Sequence, residues 1–219
     1  MIVNELIKRV ITSLVLLPVL FFSLYLSGLY FISFLILIFF LSFYEIVKNT
    51  NKLLFIIFSS TILILALYSF HFLRGNSDNS LILICWILTA TFLSDIGGYT
   101  FGRIFKGKKL SKISPNKTYS GSLGSVFFSI AALPIFNLFQ LSFLNENLIN
   151  FYQLKYLLLT ISISVICQLG DLYVSFWKRK INIKNISNLL PGHGGVLDRI
   201  DGLIFVLIFS FVLKNIGLI

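Results

Sequence analysis

The sequence predicts an all-α integral membrane protein, a polytopic bundle of about seven transmembrane helices with its N-terminus in the cytoplasm. Three observations lead there. Of 219 residues, 57% are hydrophobic and only 12% charged, whereas a soluble domain carries about 25% charged residues; the chain has too little polar surface to face water. Seven apolar stretches are each long enough to cross a ~30 Å hydrocarbon core as helices of roughly 20 residues. The cationic residues, finally, gather in alternate connections between those stretches.

The apolar stretches run near Val10–Ser27, Leu29–Val47, Leu53–Leu73, Leu81–Phe101, Gly121–Leu144, Tyr156–Phe176 and Ile200–Leu218. The first two are separated by little more than Gly28, and the first flows into the second without a small-residue cleavage site, so no cleavable signal peptide is expected. With the N-terminus inside, the connections holding Lys8/Arg9, Lys48/Lys52, Arg103–Lys117 and Lys178–Arg199 share the cytoplasmic side and contain 15 of the 18 Lys and Arg. Only Arg74, Lys155 and Lys214 fall opposite. This bias accounts for most of the +10 charge, so nucleic acid is not an expected partner.

One membrane domain, residues 1–219, is expected, with neither a repeat nor a soluble domain. Asn49–Lys52, Arg74–Ser80 and Asn145–Lys155 are short connections, and Asn145–Asn150 reads as an exterior turn. The two long polar connections, Gly102–Ser120 and Trp177–Arg199, are both cytoplasmic. Long loops in so economical a chain carry function, which places the catalytic elements in 95–125 and 170–202. Cys85 and Cys167 lie in apolar segments without metal-site spacing and read as small buried hydrophobes.

Eight carboxylates allow each to be weighed. Glu5, Asp78 and Glu146 sit in polar ends or loops, and Glu45 at the cytoplasmic end of the second segment. Asp95, Asp171, Asp198 and Asp201 lie in or beside apolar segments, where an ionised carboxylate costs several kcal/mol unless paired or metal-bound. All four fall toward the cytoplasmic leaflet, from three different helices. Asp171, Ser175 and Lys178 recur at i, i+4, i+7 and share a helical face; Asp198 and Asp201, at i, i+3, share one if the last helix has begun. Hard oxygen ligands beside a phosphate site suit Mg²⁺. The plainer readings are N-capping for Asp198 and Asp201, and a structural salt bridge from Asp171 to Lys178 or Arg199.

Two loops carry the basic chemistry. Ser114-Pro115-Asn116-Lys117-Thr118 reads as a helix start, with Ser at the cap and Pro at the first helical position. Such an end, with its free amides and a nearby Lys, is also a phosphate cradle. Gly121 and Gly124 permit close approach of a neighbouring helix or a substrate, and Lys106, Lys108, Lys109 and Lys112 face anionic headgroups. Pro191-Gly192-His193-Gly194-Gly195 lacks P-loop spacing, but its three glycines let backbone approach an anion.

These residues resemble the bacterial phosphatidate cytidylyltransferases, or CDP-diacylglycerol synthases. That family's C-terminal pattern, Ser-x-x-Lys-Arg, Lys-Asp, Pro-Gly-His-Gly-Gly and Asp-Arg-x-Asp, reads here as Ser175-Phe-Trp-Lys178-Arg179, Lys184-Asn185, Pro191–Gly195 and Asp198-Arg199-Ile-Asp201. Gly170-Asp171-Leu172, Ser114-Pro115-x-Lys117-Thr118 with Gly121, Asp95 through Gly102-Arg103, and the opening Lys8-Arg9-Val10-Ile11-Thr12 extend the likeness over nearly the whole chain. Asn185 departs from the family's Asp, and Ser120 stands where an acidic or amide residue is common. The chain is also short, so one or two early passages of longer relatives are expected to be missing.

The resemblance implies CMP transfer from CTP to phosphatidate, giving CDP-diacylglycerol and pyrophosphate for phospholipid biosynthesis at the inner (cytoplasmic) membrane, with the active site facing the cytoplasm. Asp171, Lys178, Asp198, Arg199 and Asp201 would be catalytic. Ser114, Lys117, Thr118, Ser175, Arg179, Lys184, His193, Gly194 and Gly195 would bind substrate. Asp171, Asp198 and Asp201 would hold Mg²⁺, and a second ion, K⁺, is implied by the resemblance alone. The expected partners are CTP, phosphatidate and membrane lipid; a homodimer is admitted, not required. A phosphate monoester is largely dianionic at neutral pH, so His193 is expected to position a phosphate rather than act as a base. The rival readings are a CTP-dependent lipid nucleotidyltransferase or kinase on another acceptor, and an ion-coupled transporter. A transporter would place its acids at the midplane and show an inverted repeat. A CDP-alcohol phosphotransferase is opposed by the missing Asp-Gly-x-x-Ala-Arg motif: Asp201-Gly202 continues into Leu203-Ile204-Phe205-Val206.

Overall fold

The computed structural model describes residues 2–111, 114, 117–140, 149–181, 183, 186–187, 189–192 and 194–219, and of residues 2–7, 9 and 10 the backbone alone. Helix dominates, and the described residues contain no strand. Eight helices follow in order: α1 (Ile2–Leu26), α2 (Gly28–Asn49), α3 (Leu53–Arg74), α4 (Asp78–Phe105), α5 (Tyr119–Ile130), α6 (Ala132–Phe139), α7 (Leu154–Lys180) and α8 (Leu197–Asn215).

Every expected apolar stretch is helical where described. Among the described residues five spans are long and apolar enough to cross a membrane: α2, α3, α4, the run of α5 and α6 over Tyr119–Phe139, and α7. The chain is therefore a multi-pass membrane protein. Of the seven stretches expected, the first offers only a shorter apolar run, Ile11–Leu26. The last, α8, has 19 residues but carries Asp198, Arg199, Asp201 and Lys214. The fifth stretch is divided at Ala131; its expected end at Leu144 and the acid Glu146 lie outside the described residues.

α4 is the central helix, with Trp86, Ile84, Ile87 and Leu88 fully buried. Its partnership with α5 rests on glycine. A Cβ on Gly121 would come within 2.7 Å of the Gly98 carbonyl, and one on Gly124 within 2.8 Å of the Gly97 carbonyl as well as against the Phe101 ring. Backbones this close gain dispersion contacts that larger residues would forbid. The contact holds the start of α5 against the last turns of α4.

That start differs from the expectation. The N-cap of α5 is Thr118, not Ser114: its hydroxyl accepts a hydrogen bond from Gly121 N at 3.1 Å. The helix cannot begin earlier because the preceding residues are paired in extended form. Leu110 N donates to Lys117 O at 2.8 Å and Tyr119 N to Lys108 O at 3.1 Å, which closes the basic loop on itself.

At the opposite end of the bundle two cations tie helix C-termini together. Buried Arg74 donates through Nε to Leu24 O at 2.5 Å and through a terminal nitrogen to Gly75 O at 3.1 Å. Lys214 Nζ reaches Leu73 O at 3.4 Å. Positive side chains on the last carbonyls satisfy acceptors that a helix end leaves open and match its negative pole.

Gly124→Val is expected to lower the melting temperature of the detergent-purified protein by about 5 °C or more, since overpacking costs ~1–3 kcal/mol. A thermal-shift measurement checks it, and an unchanged transition would mean α4 and α5 do not pack this closely.

Candidate active site

Three helices bring carboxylates to one place. On α7 and α8 the approach is again made by glycine. A Cβ on Gly170 would lie 2.7 Å from the Phe205 ring, and one on Gly202 would lie 2.6 Å from Asp171 Oδ1. Each glycine adjoins an aspartate in sequence, so this packing sets Asp171 and Asp201 face to face within hydrogen-bonding reach. Asp95 of α4 joins them: ligand atoms of Asp95, Cys167 and Asp171 all lie within 4.8 Å of one another. The Cys167 thiol donates to Asp95 Oδ1 at 3.5 Å, so this cysteine is more than apolar filler.

Two lysines answer the acids, from different distances into solvent. Lys178 bridges Asp198 at 3.0 Å and Asp201 at 3.6 Å, with 14% of its own and 11% of the Asp198 side chain exposed. Lys117 holds Asp171 at 3.0 Å with 28% and 22% exposed. Removing one partner of a buried pair costs ~3–5 kcal/mol, whereas an exposed pair contributes under ~1 kcal/mol. The Lys178 bridges are the more shielded and the Lys117 bridge the more open to the cavity. The bridge expected between Asp171 and Lys178 does not form, because Lys178 is committed to α8.

Asp198 is occupied further. Its second oxygen accepts from Ile186 N at 2.9 Å and Gly195 N at 3.3 Å. Since α8 has begun at Leu197, Asp198 and Asp201 share a face as expected. The Pro-Gly-His-Gly turn is closed by reciprocal bonds, Leu190 N to Gly194 O at 2.8 Å and Gly194 N to Leu190 O at 3.1 Å. Gly192 and Gly194 have φ of +75° and +86°, where other residues are strained. Thr12 of α1 donates its hydroxyl to Pro191 O at 2.8 Å.

The residue that sequence reasoning underrated is Glu45. It is fully buried on α2, and its carboxylate accepts from Ser187 Oγ at 2.5 Å, Val196 N at 2.8 Å and Leu197 N at 2.9 Å. A carboxylate on the first amides of a helix satisfies orphan donors and meets its positive pole. Gly195 must be glycine here, because a Cβ would come 2.9 Å from Glu45 Oε1. One turn on, Asn49 Nδ2 donates to Ile186 O at 2.7 Å. The available signal was a lone acid inside Phe-Leu-Ser-Phe-Tyr-Glu45-Ile-Val, the same signal that marked Asp95.

A cavity of about 1060 Å³ opens beside the cluster. Its polar end is lined by Asp95, Asp171, Asp198, Arg199, Asp201, Lys117, Ser114 and Thr118; its remainder by apolar residues of α1, α2, α3, α4 and α8, such as Leu17, Leu41, Leu63, Phe92 and Leu207. Of the expected site residues, Asp201 also lines a second, smaller apolar cleft between α2, α3, α7 and α8, and Lys178 lines that cleft rather than the large cavity. Ser175 and Arg179 line neither cavity; Arg179 donates to Ile183 O at 3.3 Å, closing the end of α7. Gly194 and Gly195 shape the turn. Lys184, Asn185 and His193 lie outside the described residues, as do Pro115 and Lys112.

Residues 48–216 match the family model described as the cytidylyltransferase family. The chain belongs to that family. Among curated proteins it is similar to the phosphatidate cytidylyltransferase of Staphylococcus haemolyticus, 41% identical over 63% of this chain and 51% of that protein. The Rickettsia conorii protein of the same name is 38% identical over 52% of this chain and 49% of its own length. The Rickettsia bellii one is 30% identical over 98% and 93%. The match thus spans about half the length of the first two relatives and nearly all of the third.

Glu45→Ala is expected to lower the melting temperature by about 5–10 °C, since it strands buried donors at ~1–3 kcal/mol each. It should also speed tryptic cleavage between α7 and α8 at least tenfold. Limited proteolysis checks the second effect; an unchanged cleavage rate would mean Glu45 does not hold that loop.

Proposed function

We propose that this chain is a phosphatidate cytidylyltransferase, transferring CMP from CTP to phosphatidate to give CDP-diacylglycerol and pyrophosphate. The observation carrying the proposal is a single cavity whose two ends differ in kind. One end is acidic and basic side chains suited to phosphates, and the other is an apolar channel suited to acyl chains. A water-soluble nucleotide and a lipid need such a site in common. Family membership and the names of the relatives support the same reading.

The cluster fits a divalent cation. Asp171 and Asp201, with Asp95 beside them, present hard oxygens at the cavity wall, the donor type Mg²⁺ takes. Asp198 completes the proposed ligand set but already accepts three hydrogen bonds, so Asp171 and Asp201 are the stronger ligands; the Cys167 thiol is too soft to contribute. When bound, Mg²⁺ supplies charge neutralisation between two polyanions and at the α-phosphate. A K⁺ beside it rests on family resemblance alone.

The protein's own residues do the rest. Lys117 and Arg199, both on the cavity wall, meet phosphate oxygens, and the amide end of α5 behind Thr118 adds partial positive charge. Held in line, a phosphatidate oxygen attacks the α-phosphorus of CTP; that P–O bond forms as the bond to the β-phosphate bridge breaks, and pyrophosphate leaves with the electron pair. A dianionic phosphate needs no proton removed, so no general base is assigned. Arg179 closes the end of α7, and a substrate-binding role for Ser175, Lys184 and His193 rests on family resemblance alone. We read α1 and α8 as crossing too, which makes seven passages of the inner membrane with the N-terminus and active site cytoplasmic. Assembly as a homodimer is compatible with this arrangement.

Purified protein supplied with labelled CTP and phosphatidate should form CDP-diacylglycerol and pyrophosphate only with Mg²⁺. Asp201→Asn should reduce turnover at least a hundredfold while the protein remains monodisperse. Near-normal turnover in that variant would sink the ligand assignment, and no product from intact wild-type protein would sink the reaction.

A further inference from the structure

One tier below Asp171 and Asp201, and level with Asp95, lies a polar chain that the proposed phosphate chemistry does not use. Ser122 Oγ of α5 donates to Gln168 Oε1 of α7. Gln168 Nε2 donates to Ser164 Oγ at 3.3 Å and to Ser122 O at 3.4 Å. Ser164 and Ser94 of α4 pair through their hydroxyls at 2.8 Å. The two ends of this chain have different surroundings. Ser94 and Ser164 are fully buried, which makes their pair a sealed interhelix tie. Ser122 and Gln168 face the large cavity.

Their height in the cavity is informative. Gln168 precedes Asp171 by three residues, and Ser122 follows Thr118 by four. Each therefore sits about one helical turn, ~5 Å, from the phosphate-suited end. Apart from Ser13 and Ser125, the rest of the cavity wall is apolar, with Leu20, Phe34, Phe92 and Leu207. Ser122 and Gln168 meet each other's polar atoms there, and a ligand acceptor can compete for those hydrogens. Both Nε2 bonds are long for N–H···O, so a better-placed acceptor can take one of these hydrogens.

The lipid named in the proposed function has acceptors at that height. In a diacyl glycerophospholipid the ester carbonyls lie a glycerol unit below the phosphate and above the acyl chains. We infer that Ser122 and Gln168 form a subsite for the ester carbonyls of the lipid substrate, and so select diacyl over dialkyl (ether) phosphatidate. This rests on phosphatidate being the substrate. Lys117 and Arg199 fix the headgroup, the Ser122–Gln168 tier reads the linkage, and the channel accepts the chains without reading them.

The test compares kcat/KM for diacyl phosphatidate and its dialkyl analogue of equal chain length in mixed micelles, read by pyrophosphate release. Wild-type protein should favour the diester by about tenfold, the usual scale of one hydrogen bond. Gln168→Met and, as the milder change, Ser122→Ala should each bring the ratio of diester to diether toward one. Equal use of both lipids by wild-type protein, or variants that lose activity with the ratio intact, would overturn the subsite. Turnover of neither lipid by wild-type protein would overturn the functional reading, and the subsite with it.

Discussion

A carboxylate inside an apolar helix bundle must be answered by cations or amide hydrogens, and the architecture is organised around doing so five times. Asp95, Asp171, Asp198 and Asp201 converge from three helices, and Glu45 reaches in from a fourth. Unanswered, each would cost several kcal/mol. The answers form two sets. Glu45 and Asp198 are saturated by backbone amides, a serine and Lys178, and they fix the loop and the start of α8. Asp171 has one cavity-facing lysine, and Asp95 a weak thiol donor. Glu45 is spent and Asp198 nearly so; Asp95 and Asp171 keep the most capacity for ligands.

Glycine is what makes the convergence possible. Gly170 and Gly202 let α7 and α8 meet at the level of Asp171 and Asp201, while Gly97, Gly98, Gly121 and Gly124 do the same for α4 and α5. In lipid, where apolar side chains gain little by avoiding the solvent, close backbone packing is the stronger cohesive device. It also sets Asp95, Asp171 and Asp201 on rigid helices rather than on loops.

Much of this was legible in the sequence. The apolar runs gave the helices, and the cost of an acid in an apolar run picked out Asp95, Asp171, Asp198 and Asp201 before any geometry was available. Pairings between distant segments were not legible. Lys117 rather than Lys178 meets Asp171 across 54 residues, and Glu45 meets Val196 across 151. Helical spacing grouped Ser175 with Asp171, yet Ser175 lines neither cavity, since i, i+4 periodicity says which residues share a face and not how far round it a cavity extends. The cap at Ser114 was misplaced for a similar reason: its signal is local, while the pairing of residues 108–110 with 117–119 that delays α5 is not.

The family match begins at residue 48, and the carboxylate that clasps α8 lies three positions before it. Thr12, which holds Pro191, lies earlier still. The stretch that the family model matches and the unit that holds itself together are therefore not the same length. A boundary drawn at residue 48 would discard the clamp on the loop between α7 and α8, so the first two helices belong with that loop by mechanics.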